Sequence, residues 1–262
     1  MKACLGNNLV RLSLPQVTLC AASSVNVAAT IKALEASLDQ ADFAAALLFT
    51  DASVEPNHPS IAVVSIPRLT SSHAYSHFML TQMVDYVHTS HCLVVQWDGY
   101  VSDRQQWRSE FLDYDYIGAS WPQFSDGHDV GNGGFSLRSW RLLKLCQEPS
   151  FKPSHPEDVA ISRFNRALLE ERGMRFAPRE VADRFSTERA YAASGNFGFH
   201  GVWLMPQVIG VQPFWDIYRC LDDRTTIRHD FAQILRQIYK GKGGLGRAIK
   251  LTLDQYLYGF EQ

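Results

Sequence analysis

The segment HCLVVQWDGYV, which runs from His91 to Val101, predicts a buried strand that ends in an acid. Apolar residues from Cys92 to Val95 lead into a polar tip, and Gly99 then supplies a turn. The carboxylate of Asp98 would therefore lie at the rim of a sheet, where open α/β sheets bind ligands and where an oxygen suits a divalent cation that bridges phosphates. The alternative is that Asp98 only caps a turn.

The sequence before this segment alternates between strand-like and helix-like patterns. The predicted strands are residues 16–22, 44–49 and 61–66, and the predicted helices are residues 27–38 and a second helix that Ser72 caps. This alternation predicts an α/β fold, with a mixed, mostly parallel sheet flanked by helices. Right-handed crossovers would gather Ala22, Asp51 and Asp98 along one edge of that sheet.

Composition and charge exclude several classes of protein. The chain has 262 residues, of which 46% are hydrophobic, so it can bury a large core. A net charge of −2 without a dense Lys/Arg run argues against nucleic acid as a partner. The five scattered cysteines fit reduced core thiols better than a disulfide or zinc framework. No window has the pattern of a signal peptide or a membrane span, so we expect a cytoplasmic protein.

An aromatic-rich segment follows the acid. A polar helix is predicted over residues 103–111, and a polar loop, a candidate lid, over residues 125–130. The aromatic side chains between them either pack in the core or form a platform on which a sugar ring stacks. They are Tyr114, Tyr116, Trp121 and Phe124.

The glycine-rich segment GNGGFSLRS covers residues 131–139. Glycines are retained where the backbone needs a positive φ or a close approach to another molecule, so Gly133 and Gly134 are candidates to line a ligand site. The pattern matches neither a dinucleotide-binding fingerprint nor a phosphate loop. A plain tight turn before a helix at about residues 139–146 is the alternative.

Two further motifs carry groups suited to chemistry. In SHPED, Ser154 and Glu157 match a capping box, and Asp158 in the first helical turn would be held as an anion by the helix dipole, which suits a general base. Acids are common in first turns without any such role. In FGFHG, His200 lies between aromatic residues and glycines, where a hydrogen-bonded core histidine is the alternative to a metal ligand.

The order of QWDG, GNGGFSLRS, HPED and FGFHG resembles a family of bacterial and fungal glycosyltransferase-like proteins catalogued as a domain of unknown function, and more broadly the GT-A glycosyltransferases. This resemblance implies a GT-A-like, Rossmann-type sheet. Asp98 resembles the metal-binding member of the D-x-D motif in that superfamily, whereas Gln96 replaces its first aspartate. Asp158 matches the base of inverting enzymes, and His200 matches a late metal-binding histidine.

The resemblance implies a donor, a metal and an acceptor. A nucleoside diphosphate sugar, with uridine as the first choice, would be transferred with inversion to a hydroxyl of a glycan or lipid-linked acceptor in bacterial glycan or polysaccharide assembly. Asp98 and His200 would hold Mn²⁺ or Mg²⁺, and Asp158 with Glu157 beside it would form the catalytic pair. The residues expected to bind the nucleotide sugar are Ala22, Ser23, Asp51, Gln96, Trp97, Asp98, Gly133 and Gly134.

Two other functions fit the same residues. A metal-dependent hydrolase or nucleotidyltransferase would use Asp98, Asp158 and His200 for a different reaction. A non-catalytic carbohydrate-binding protein on a degenerate transferase scaffold would explain the missing first aspartate at Gln96. A shared fold does not choose among these functions.

The end of the chain has a different composition. We expect residues 1–212 to form the GT-A-like domain and residues 213–262 to form a helical extension packed on it. The extension is locally basic, which predicts either a solvated helix face or a peripheral contact with anionic lipids at the inner membrane. Its basic residues are Arg236, Lys240, Lys242, Arg247 and Lys250.

Overall fold

A computed structural model describes residues 11–189, 195–241 and 243–257. The strands are β1 (Leu12–Ala22), β2 (Ala41–Thr50), β3 (Ile61–Ser65), β4 (His91–Val94), β5 (Tyr116–Ile117), β6 (Ser136–Ser139), β7 (Ser186–Thr187) and β8 (Gly198–Phe199). The helices are α1 (Val27–Gln40), α2 (Ser72–Thr81), α3 (Trp140–Leu145), α4 (Glu157–Val159), α5 (Arg166–Glu171), α6 (Arg179–Phe185), α7 (Met205–Val208), α8 (Val211–Tyr218), α9 (Phe231–Tyr239) and α10 (Gly244–Leu257).

The main sheet has six strands in the order β3-β2-β1-β4-β6-β5. The first four are parallel, because helical or looped crossovers join them, whereas β6 runs antiparallel to both β4 and β5. The predicted mixed, mostly parallel sheet flanked by helices is therefore confirmed. The antiparallel β6 brings the end of the glycine-rich segment beside the tip of β4, since Val94 pairs with Ser136.

Two local predictions need correction. Ser71, not Ser72, caps α2, because its side chain accepts a hydrogen bond from the backbone N–H of Ala74 at 3.1 Å. The helix expected over residues 103–111 is replaced by two short 3₁₀ turns, Arg104–Gln106 and Ser109–Asp113. An interrupted backbone of this kind lets Trp107 and Phe111 pack edge to face, with ring centroids 5.4 Å apart.

One continuous hydrophobic core extends from β1 to the last helix. It includes Leu14 and Leu19 of β1, Phe135 beside β6, and Ile238 and Leu251 of the tail helices, all fully or almost fully buried. Within this core the rings of Phe135 and Phe185 stack with centroids 5.0 Å apart, and Phe197 contacts both in tilted geometry. Helices α9 and α10 thus contribute side chains to the same core as the sheet.

The aromatic side chains that follow β4 belong mainly to the interior. Tyr116 and Trp121 are buried, and the face of Phe124 is covered by the Arg163 guanidinium at 3.8 Å. The same Arg163 binds Asp126 in the polar loop at 2.6 Å. These contacts favour packing over a free sugar-stacking platform.

The cysteines and the tail can be compared with their predictions. Cys20, Cys92 and Cys146 are buried free thiols as expected. Cys220 is exposed, so the expectation of a core thiol is wrong for that residue.

Lys242 of the basic tail lies outside the described residues. Within the described ranges, no helix is both long and apolar enough to cross a membrane.

Candidate active site

A cavity of about 480 Å³ opens at the carboxyl-terminal edge of the parallel strands. It is lined by Ala22 and Ser23 at the end of β1 and by Gln96 and Trp97 after β4. Four of the predicted donor-binding residues therefore line the same cavity. Asp51, by contrast, is exposed at the end of β2 and is not among the residues that line this cavity. Asp51 still follows the end of β2 at the same edge of the sheet, because β1 and β2 are parallel and Ala22 pairs with Phe49, but it does not line the cavity.

Part of the cavity wall comes from the tail (residues 213–262), which the sequence did not predict. Asp223 and Thr226 line the cavity together with residues that follow β1. Asn26 joins the two segments: its Oδ1 accepts a hydrogen bond from the backbone N–H of Asp223 at 2.9 Å, and its Nδ2 donates to the Asp223 carbonyl at 3.5 Å. Asn26 has φ 59°, a left-handed conformation that Asn tolerates better than most residues. We call this pair the Asn26–Asp223 clasp.

An imidazole surrounded by oxygens lies beside the cavity. His200 Nε2 is 3.6 Å from Asp98 Oδ1 and 3.3 Å from Gln96 Oε1, and its Nδ1 is 3.3 Å from Glu188 Oε1. Gln96 also donates to the Tyr75 hydroxyl at 2.9 Å, which fixes the orientation of its amide. Because Gln96 lines the cavity as well, it connects the cavity to this cluster.

Burial and the neighbouring carboxylates set the charges in this cluster. Burial on its own would lower the pKa of His200, but Asp98 and then Glu188 outweigh it and raise the pKa to about 9. Burial also raises the pKa of Asp98, against the opposing effect of His200. The two neighbouring acids therefore favour the protonated form of the imidazole.

The glycine-rich segment forms the floor against which His200 packs. A Cβ at Gly134 would overlap the His200 ring, and one at Gly99 would lie 2.8 Å from His200 Cδ2. Both contacts, 2.0 Å from a Cβ at Gly134 to His200 Nε2 and 2.8 Å at Gly99, are shorter than a side-chain carbon tolerates. Glycine is therefore required at position 134 for close packing with the imidazole. The sequence pattern predicted a close approach to another molecule, whereas the neighbour found here is a side chain of the same chain.

Asp158 lies on the same floor, one glycine away. Its Oδ2 accepts a hydrogen bond from the backbone N–H of Gly133 at 3.1 Å, and its Oδ1 accepts one from Val159 at 2.8 Å. Burial, followed by repulsion from the Glu157 carboxylate, raises the pKa of Asp158 to about 6. Through Gly133 and Gly134 the structure brings Asp158 and the His200 cluster together, although 42 residues separate them in the sequence.

Glu157 has a structural contact that differs from its predicted one. Its Oε1 forms a buried ion pair with Arg138 Nη2 at 3.1 Å, and its Oε2 accepts a hydrogen bond from the Ser76 hydroxyl at 3.3 Å. The expected capping box is wrong: Pro156 is the N-cap of α4, and the buried Ser154 hydroxyl makes no hydrogen bond within the described part of the chain. The Glu157 carboxylate therefore pairs with Arg138 and Ser76 and does not cap the helix with Ser154.

Sequence reasoning missed three residues of this site. Arg138 stands in the quoted glycine-rich motif but was given no role, because arginines are rarely fully buried. Glu188 follows a short polar turn and carries no pattern of its own. Asp223 lies outside the four motifs, and only its place in the fold identifies it.

The donor atoms beside the cavity can accommodate a small divalent cation. Among the described residues, no group of three or more His, Cys, Asp or Glu is arranged as a metal site. Asp98 and His200 nevertheless supply one carboxylate and one imidazole 3.6 Å apart, with the Gln96 amide oxygen close by. This mixed donor set fits Mn²⁺ or Mg²⁺ ions whose remaining ligands are phosphate oxygens and water.

Comparisons with known proteins match one family model and several solved structures. The family model described as a protein of unknown function (DUF5672) matches residues 60–200, which confirms the predicted resemblance to a family of unknown function. A galactosyltransferase, LgtC, solved with donor and acceptor sugar analogs, is 12% identical, with a TM-score of 0.42 over 79% of this chain and 96% of that chain. A mannosyltransferase from Pyrobaculum calidifontis, solved with GDP-Man and Mn²⁺, is 13% identical, with a TM-score of 0.45 over 92% of this chain and 76% of that chain. No curated protein matches this chain.

Proposed function

We propose that this chain, which belongs to the family described as a protein of unknown function (DUF5672), transfers a sugar from a nucleoside diphosphate donor to a hydroxyl acceptor. One observation carries the proposal. The Asp158 carboxylate and the Asp98–His200 pair lie on a common glycine floor beside a cavity of about 480 Å³. A carboxylate base, a pair suited to a cation and a cavity together match what sugar transfer from a diphosphate requires.

The cavity suits the nucleoside end of the donor. Among the described residues that line it, none is Lys or Arg, so it lacks cations to hold a diphosphate. The lining instead offers the Asp223 carboxylate, the Thr226 hydroxyl and the Gln96 amide, which hydrogen-bond to ribose hydroxyls and base edges. The nucleoside would therefore lie between β1 and the tail, with uridine as the first base to test.

The diphosphate would then extend from Gln96 toward Asp98 and His200. These two residues would hold Mn²⁺ or Mg²⁺, and His200 would give up a proton to do so. A bound cation of this kind neutralises charge that develops on the departing diphosphate. Glu188 holds the other ring nitrogen at 3.3 Å and orients the imidazole toward Asp98.

Asp158 is the proposed base. Its carboxylate would take the proton of the acceptor hydroxyl as that oxygen attacks the anomeric carbon, so that the new glycosidic bond forms while the bond to the diphosphate breaks. Attack from the side opposite the leaving group inverts the anomeric centre. General-base assistance of this kind contributes about 10²- to 10⁴-fold in rate. Hydrogen bonds from Gly133 and Val159 keep the carboxylate in place.

The test is a panel of nucleotide sugars with Mn²⁺, in which release of nucleoside diphosphate is measured with and without a glycan or lipid-linked acceptor. The first comparison is Asp158→Asn, which should lose transfer by about 10²-fold or more while the donor still raises the thermal midpoint. Asp113→Asn, at an exposed acid away from the cavity, is the matched control.

Three outcomes would contradict the proposal. Full turnover in Asp158→Asn would remove the base assignment. Release of nucleoside diphosphate at the same rate without an acceptor would indicate a hydrolase. A donor-dependent rise in thermal midpoint with no turnover for any acceptor would indicate a carbohydrate-binding protein on this scaffold.

A further inference from the structure

Helix α10 exposes a stripe of large apolar side chains. Leu245, Ile249, Leu253 and Tyr256 are 65%, 53%, 54% and 66% exposed. Their spacing of three to four residues places them on one face of the helix. Scattered exposed apolar residues are ordinary, but a contiguous stripe of this length indicates a surface that contacts something else.

The opposite face of α10 is firmly attached to the protein. Leu251 is fully buried, and the Asp254 carboxylate accepts a hydrogen bond from the Tyr218 hydroxyl at 2.9 Å and pairs with Arg224 at 3.1 Å. A carboxylate that is buried and paired in this way fixes the rotation of the helix about its axis. The outward direction of the stripe is therefore set by the fold.

The stripe forms one side of an apolar groove between α9 and α10. The groove has a volume of about 590 Å³, and α9 contributes Leu235 and the 62% exposed Tyr239 to it. We call it the α9–α10 groove. Arg236 and Lys240 also line it, and within the described chain its lining contains no Asp or Glu.

The segment that forms this groove carries an excess of basic residues. Residues 231–257 contain five Lys or Arg and a single acid, Asp254, which is buried. The whole chain has a net charge of −2, so this positive region departs from the average surface. Apolar side chains bordered by basic residues are the pattern of helices that lie in the plane of an anionic membrane surface.

We propose that the α9–α10 groove docks on an anionic lipid bilayer. The stripe of α10 and Tyr239 would enter the boundary between headgroups and acyl chains, while Arg236 and Lys240 would remain at the level of the lipid phosphates. This mode needs no membrane-crossing helix. It is independent of the proposed transferase activity, because it uses none of the residues at the candidate active site.

Vesicle flotation with the full chain tests the proposal. Vesicles of phosphatidylcholine alone should bind weakly, and vesicles with increasing phosphatidylglycerol should bind more strongly and release the protein at high salt. Ile249→Asp and Leu253→Asp should abolish binding. Arg236→Gln and Lys240→Gln should each weaken binding to the anionic vesicles by about fivefold.

Controls separate docking from misfolding and from self-association. Val63→Asp places the same charge at an exposed apolar residue on β3 and should bind vesicles like the wild type. All variants should keep the wild-type thermal midpoint within a few degrees. Two results would overturn the proposal: absence of binding at every phosphatidylglycerol fraction, or a wild-type dimer in solution that Ile249→Asp dissociates, since a second copy would then cover the groove.

Discussion

Asp158 has a carboxyl group whose ionisation should control the reaction. Burial and Glu157 raise its pKa to about 6, and only the ionised form can accept a proton. We therefore expect kcat/KM to rise about tenfold per pH unit up to about pH 6 and then to level off. A pH–rate profile with a saturating cation checks this. A profile without an acid limb between about pH 5 and 7 would contradict the assignment.

The same carboxyl group should affect stability with the opposite sign from an acid whose pKa is lowered on folding. Its folded pKa of about 6 lies above the unfolded value of about 4, so its contribution to stability is present below about pH 4 and is lost as pH rises through about 6. Asp158→Asn should therefore unfold at a higher temperature than the wild type above pH 6 and at a similar temperature near about pH 4. Thermal melts across this pH range measure the crossover, and a constant difference would contradict it.

Gly134 should be intolerant of even one added carbon. An alanine there would push against the His200 ring, which would have to move from Asp98 and Gln96. We expect Gly134→Ala to fold and to lose most of its Mn²⁺-dependent activity and Mn²⁺ binding by calorimetry. Gly246→Ala on α10 is the matched control, because a Cβ there meets no atom within 4 Å. Equal Mn²⁺ binding in both variants would show that Gly134 does not position His200.

Residue type and local position predicted part of this chemistry. Asp98 follows an apolar strand, Asp158 opens a helix and His200 lies among glycines, so each had a local signal. Glu188 and Arg138 had none, because burial of a charge depends on which partner the fold brings to it. Arg138 pairs with Glu157, which is 19 residues away in the sequence, and no periodic pattern predicts that contact.

At the scale of elements, the ion pair between β6 and α4 should tune the base. Arg138 and Glu157 are both buried, so Glu157→Gln leaves a buried cation without its counter-charge and should cost about 3 kcal/mol of unfolding free energy. The same change removes the repulsion that raises the pKa of Asp158. The acid limb of the pH–rate profile should therefore move to lower pH.

A purely structural role of Glu157 would lower the melting temperature without moving that limb. The control is Glu180→Gln, which changes an exposed acid in the first turn of α6. The control should retain the wild-type stability and profile. An unchanged acid limb in Glu157→Gln would show that the ion pair does not influence Asp158.

The elements themselves were predictable where one signal dominated. β1 to β4 have apolar runs or alternation, and helix α1 has apolar residues at helical spacing, so their type and order were correct. β6 was missed, because four residues after a glycine-rich turn gave no periodicity. The helix expected over residues 103–111 failed because packing of Trp107 and Phe111 outweighed a weak local preference.

At the scale of the whole molecule, the Asn26–Asp223 clasp should control donor affinity. Asn26→Gly keeps the left-handed backbone but removes both hydrogen bonds to Asp223, so we expect donor binding to weaken by about tenfold with a stability loss of about 1–2 kcal/mol. Asn26→Ala should lose the same donor affinity and additional stability, since alanine disfavours φ 59°. Wild-type donor affinity in Asn26→Gly would contradict this role.

A contact between residues so far apart in the sequence, such as the Asn26–Asp223 clasp, could not be predicted from the sequence. Asn26 and Asp223 are 197 residues apart, and neither stands in a recognisable motif. The proposed split at residue 212 stays a prediction, although α8 begins at Val211 and the tail contributes Asp223 to the cavity and Leu251 to the core. A fold class follows from local patterns, whereas a cavity follows from which distant segments meet.

The clasp also bears on how the protein is made. During synthesis on the ribosome, the segments with Asp98, Asp158 and His200 emerge before Asp223 does. A nascent chain released only that far would hold the acidic and imidazole groups but would lack the part of the cavity wall that Asp223 forms. The cavity can therefore be completed only after Asp223 has been synthesised and has paired with Asn26.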